Sequence, residues 1–144
     1  MTRTHKFLLA AIVSACAAIG YGQASEAFIA RLSAVPADAR TRAELAGSGY
    51  ALATLTGSKL TISGAFDGLK SAAVSAKIHD GTMAGVRGPV LQEITVAKNA
   101  KGSITGSLNL TPDLLHHLNK GGLYVQIYSE KAPDGVLCGW FMKQ

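Results

Sequence analysis

The sequence predicts an all-β domain, an antiparallel Greek-key sandwich or barrel of about eight strands with one short crossover helix. Three observations lead there. Short runs throughout the chain alternate apolar and polar side chains with a period of two. Gly, Pro, Asp and Asn interrupt these runs at close intervals. Only one segment, starting at Thr111, carries helix start and stop signals together.

The chain has 144 residues, room for one domain, and its first 24 residues read as a secretory signal outside that domain. Arg3, His5 and Lys6 make a basic start, residues 7–19 are apolar, and Gly22-Gln23-Ala24 offers small residues where a signal peptidase cuts. The apolar run is short against the ~20 residues that span a bilayer. A cut after Ala24 leaves a domain over 25–144. A second processing route competes: Val13-Ser14-Ala15-Cys16 fits a lipobox, and acylation of Cys16 would anchor the domain to a membrane, although apolar residues continue after it. The expected address is therefore periplasmic or secreted, with a lipoprotein tethered through Cys16 as the alternative.

The predicted strands lie at 27–33, 48–55, 58–65, 72–79, 90–97, 102–109, 122–129 and 136–142. Hairpin-like turns are expected at Thr56-Gly57-Ser58, from Ala97 to Lys101, and at Ala132-Pro133-Asp134-Gly135, where Pro and Gly take their preferred turn positions. Between the sixth and seventh strands, Thr111 is a helix cap, Pro112 takes the first helical position, Asp113 is an early acid, and Gly121-Gly122 stop the helix. The three-glycine loop from Gly81 to Pro89 follows directly on the fourth strand and is expected to be the mobile rim of any site.

Alternation also defines the candidate site. Lys77 and His79 share one face of the fourth strand, and Gln126 and Tyr128 share one face of the seventh. If those strands are neighbours, the four side chains form one polar cluster, and Tyr128 can offer its hydroxyl to His79. The bland reading is a fixed cluster that positions the glycine loop; the sharper one is a ligand or metal site. His116 and His117 point about 100° apart on a helix, so they cannot chelate together, and near its C-terminus they serve a structural role. No Gly-x-Ser-x-Gly elbow is present, and Cys138 has no His beside it in sequence. The reading is of a protein that is not an enzyme and needs no cofactor.

Charge excludes other classes. Without Arg3 and Lys6 the net charge falls from +5 to +3, and the basic residues are scattered. With no basic stripe interleaved with aromatics, nucleic-acid binding has no support. Cys138 is left as the single cysteine of 25–144, so no internal disulfide forms.

The segments Phe28-Ile29-Ala30-Arg31-Leu32-Ser33, Lys77-Ile78-His79-Asp80-Gly81, Gly85-Val86-Arg87-Gly88-Pro89-Val90, Thr111-Pro112-Asp113-Leu114, residues 121–128 and Pro133-Asp134-Gly135-Val136-Leu137-Cys138-Gly139 follow one another in an order that resembles the chordin-type (CHRD) domain family. The resemblance covers essentially all of 25–144. It implies a secreted β-sandwich, which in animals belongs to extracellular growth-factor antagonists and in bacteria is mostly a stand-alone exported domain. The family pattern has a His-x-His-x-Gly strand, similar to the metal-binding strand of copper/zinc superoxide dismutases, and a later His. Here Lys77 replaces the first of these and Tyr128 the last, leaving His79 alone. A tight metal site needs three or four converging ligands, so no metal is expected, and a remnant site on His79 and Tyr128 is the alternative function.

The resemblance also implies that Leu137, Gly139 and Phe141 point inward. Val136, Cys138, Trp140 and Met142 then point outward as an apolar stripe. Either the N-terminal segment covers that stripe, or it is a contact surface for a homodimer or an unknown protein partner. The leading expectation is an exported, non-enzymatic binding module.

Overall fold

A computed structural model describes residues 22–144. The basic start, the apolar run and the Cys16 lipobox lie outside the described residues, as does most of the proposed 1–24 signal.

Each alternating run is a strand, and all pairings are antiparallel. The elements are β1 (Ser25–Ala34), β2 (Ser48–Thr56), β3 (Lys59–Asp67), β4 (Ala73–Asp80), β5 (Val90–Val96), β6 (Gly102–Asn109), α1 (Pro112–Asn119), β7 (Leu123–Ser129), β8 (Ala132–Trp140) and β9 (Met142–Lys143). Around the sheet the order is β2-β3-β6-β5-β4-β7-β8-β1-β9, and β1 also pairs with β2, which closes eight strands into a barrel. The predicted Greek-key fold with one short helix is the observed one.

Two joints are thin. β5 meets β6 only at Thr95↔Thr105 and Val96↔Ile104, and β1 meets β8 only at Ser33↔Cys138 and Ala34↔Leu137. The barrel is thus flattened into two faces, β1-β2-β3-β6 and β5-β4-β7-β8. Between them lies the core, where Phe28, Leu60, Ile62, Ile78, Ile104 and Ile127 are fully buried. Their removal from water is the main stabilising term, at about 1.5–3 kcal/mol for each large apolar side chain.

Three expectations are corrected. The predicted last strand is broken at Phe141, whose side chain turns into the core while its N–H donates to Leu123 O (2.9 Å). β8 therefore ends at Trp140, and β9 pairs separately with Phe28 and Ile29 of β1. Second, Ala132-Pro133-Asp134-Gly135 is not a turn: Ser129 pairs with Ala132, so Glu130-Lys131 make the tight connection. Gly135, at φ +119, sits inside β8, where a Cβ would collide with the Gln126 amide. The third correction concerns the loop 81–89, treated below.

The helix follows its signals closely. Thr111 Oγ1 accepts from Leu114 N–H (3.3 Å), and Pro112 occupies the first turn. At the other end Gly122 N–H donates to His117 O (2.8 Å) and Gly121 N–H to Leu118 O (2.9 Å), a Schellman closure with Gly121 at φ +71. That closure delivers the chain directly into β7, one of the two strands of the candidate site.

Candidate functional site

β4 and β7 are neighbours, with Lys77 opposite Gln126 and His79 opposite Tyr124. Because Ile78, Val125 and Ile127 fill the core, the alternate residues Lys77, His79, Tyr124, Gln126 and Tyr128 stand on the outer face. The four predicted residues do come together. They are joined by two that sequence reasoning missed, Tyr124 and Arg87.

His79 is 8% exposed, and both its ring nitrogens are engaged. Gly88 O lies 2.9 Å from Nδ1 and accepts its proton, which fixes the tautomer. Nε2 is then the acceptor for the Tyr128 hydroxyl at 2.9 Å. The Tyr124 ring stacks on the imidazole, with centroids 4.7 Å apart and planes 11° from parallel. Burial pushes the His79 pKa below its usual value, against the opposing effect of the Gly88 carbonyl, and the cations Arg87 and Lys77 push it the same way as burial. Tyr128 is pushed above the ordinary phenol value, first by burial and then by Tyr124. A neutral ring accepting from a protonated phenol agrees with both directions.

This wiring holds the loop 81–89 down. Tyr124 Oη accepts from Gly88 N–H (3.1 Å) and lies 3.2 Å from Gly88 O. Asp80 N–H donates to Pro89 O, Gly81 N–H to Gly122 O, and Ala84 N–H to Lys120 O. The Asp80 carboxylate accepts from Thr82 N–H (3.0 Å) and reaches His117 Nδ1 (2.9 Å), tying the loop to α1. A Cβ on Gly88 would overlap the Asp80 carbonyl, so backbone meets backbone there. The expected mobile rim is therefore an anchored cap. Strain is stored in it: Thr82, a β-branched residue, sits at φ 65.

Arg87 is the reach of that cap across the sheet. Its guanidinium lies 5.5 Å from the ring centroids of both Tyr124 and Trp140. One terminal nitrogen donates to Gln126 Oε1 (2.5 Å) and the other approaches Cys138 Sγ (3.5 Å). Gln126 passes the network on, its Nε2 donating to Asp134 O (2.9 Å), so both ends of the buried amide are used. Lys77 takes a separate place, with Nζ 5.0 Å from the Tyr128 ring centroid. Tyr124 was legible in principle, since it shares the phase of Gln126 and Tyr128. Arg87 lay inside a quoted motif with no local sign of its role.

The apolar stripe is mostly covered. Val136 is fully buried, Cys138 is 6% exposed, Trp140 is half-buried, and Met142 alone is exposed. Among the described residues, the chain just after β1 and the loop 81–89 lie over Val136 and Cys138. Val35 N–H donates to Val136 O (3.0 Å), and Arg87 lies against Cys138. The Cys138 thiol is thus no ready partner for an intermolecular disulfide. Trp140 Nε1 is buried with no hydrogen-bond partner among the described residues.

Beside this network the connection 35–47 and the β7–β8 hairpin enclose a cleft of about 360 Å³. Arg87 and Gln126 line its inner side, Val35, Pro36 and Leu45 one wall, and Lys131 to Gly135 the other. Among the described residues no three His, Cys, Asp or Glu side chains converge as metal ligands would. Comparison with known families matches residues 28–140 to the CHRD domain. No curated protein and no solved structure matches the chain.

Proposed function

Since the chain belongs to the CHRD domain family, we propose that it is an exported, non-enzymatic binding module whose recognition surface is the outer β4-β7-β8 face with its two covering loops. One observation carries this reading. Both ring nitrogens of His79 and both ends of the Gln126 amide are hydrogen-bonded within the protein, one bond of each residue to the loop 81–89, so the cluster positions backbone and presents no free imidazole nitrogen for acid–base work or metal ligation. Side chains used in this way make a rigid rim, and rigid rims suit recognition. The family reading supports the same conclusion, because the CHRD domain is a non-catalytic one. The leader-like first 24 residues support action in the periplasm or outside the cell, with attachment through Cys16 as the anchored form.

The test is capture from native cell-envelope extract by immobilised residues 25–144, followed by hydrogen exchange on the complex. Protection should concentrate in 35–47, 81–89 and 130–136. A captured partner that instead protects the β2-β3-β6 face would defeat the assignment of the surface.

A further inference from the structure

A guanidinium has five N–H donors in a planar fork, and Arg87 spends one on Gln126 and one weak contact on Cys138. Among the described residues no carboxylate pairs with it; the three ion pairs there are Arg40–Asp38, His117–Asp80 and Lys143–Glu26. Two aromatic ring centroids lie 5.5 Å from its guanidinium carbon, and a buried glutamine, bonded at both ends of its amide, holds one of its nitrogens. The side chain is nevertheless exposed, and it faces the cleft of about 360 Å³. A fixed, exposed fork without a carboxylate is complementary to a planar anion.

The rest of the cleft limits what that anion belongs to. Val35, Pro36, Leu45, Ala132 and Pro133 give it apolar walls, and its volume is at the small end of small-molecule sites, which start near ~300 Å³. Its other charged groups are Lys131, Asp38 and Asp134. Asp38 is already occupied, since its Oδ1 accepts from the N–H groups of Arg40 (2.8 Å) and Thr41 (2.9 Å). We propose that this cleft binds a carboxylate attached to a short apolar body, with the carboxylate on Arg87 and the body against Val35, Pro36 and Leu45. The proposal rests on the binding-module reading and names the chemistry that the module recognises. A free short-chain acid and the C-terminus of a peptide share that chemistry.

Trp140, the chain's only tryptophan, stands beside Arg87 and supplies the signal. Its fluorescence is followed at constant ionic strength during titration of residues 25–144 with sodium butanoate, N-acetyl-Ala-Val, the C-terminal amide of that dipeptide, and sodium phosphate. The expected result is a saturable change with the dipeptide acid or with butanoate and none with the amide. The tighter of the two acids identifies peptide end or free acid. Arg87→Lys, which keeps the charge over the rings, should weaken binding about tenfold or more by losing the fork, and Arg87→Gln should abolish it. No saturable change with either acid, equal response to the amide, tighter binding of phosphate than of both acids, or indifference to Arg87→Lys each overturns the proposal. Should wild type ignore both acids yet still capture an envelope partner on the same face, the carboxylate assignment falls and the binding-module reading stands.

Discussion

Removing one oxygen from the site tests its wiring most sharply. In Tyr128→Phe the ring and its packing remain, but His79 Nε2 loses the hydroxyl that donates to it at 2.9 Å. The acceptor sits on a residue only 8% exposed, so water replaces the lost donor poorly. A buried acceptor left without its donor costs about 1–3 kcal/mol. Partial exposure of Tyr128 itself places the expected loss in the lower half of that range, about 1–2 kcal/mol. For a domain of about 120 residues that corresponds to a fall in Tm of roughly 4–8 °C, read by circular dichroism at pH 8. The same substitution has a second signature. The phenol favours the neutral imidazole by donating to it, so its loss should move the His79 pKa upward, toward the ordinary histidine value, in an NMR titration. Unchanged Tm together with an unchanged His79 titration would show that the Tyr128–His79 bond does not exist in solution.

Four further outcomes follow from the same geometry. His79 has a folded pKa below its unfolded one, so its contribution is complete above the unfolded value near 6.5 and is lost as pH falls through the depressed value. Thermal stability should therefore drop from pH 7 to pH 5 more in wild type than in His79→Gln, and equal drops would refute this. Gly88→Ala forces a methyl into the Asp80 carbonyl and should cost about 1–3 kcal/mol by urea unfolding; an unshifted midpoint would mean that the loop has another path. Cys138 should react slowly with a thiol reagent in the native protein and faster in Arg87→Ala, whereas immediate full labelling of wild type would contradict its cover. Natively purified protein should carry copper, zinc and iron well below one equivalent, because both nitrogens of His79 are used internally; a full equivalent of any of them would revive the remnant metal site.

Period-two alternation located most strands because one face is core and the other is not, as in Ala76 and Ile78 against Lys77 and His79, whereas β7 and β8 are buried on both faces. The Pro133-Asp134-Gly135 turn failed for a physical reason. The positive φ that Gly135 supplies is used within β8 to admit the Gln126 side chain, and the real turn, Glu130-Lys131, carries no glycine or proline. The family resemblance implied an outward phase for Cys138, which pairs with Gln126, but phase says which face a residue takes and not what lies over it. Cover came from Arg87, nine residues beyond Ile78 in sequence and across two strands in space, a relation with no local signature. The His79–Tyr128 bond was foreseen as a geometric option. Its tautomer was set by Gly88, a contact that only the folded loop creates.

The thin joint between β1 and β8, backed by β9, has a consequence for when this chain can become itself. β1 finds one neighbour soon, in β2, but its other edge stays open until Cys138, Met142 and Lys143 exist. At about 5–20 residues per second, the roughly 105 residues separating Ser33 from Cys138 take about 5 to 20 s to make. Over that interval no complete barrel can form, and the Arg87 cleft, whose far wall is the start of β8, has no floor to stand on. A barrel arranged this way closes only when β8 and β9 reach β1, so its last step is a pairing between strands about a hundred residues apart.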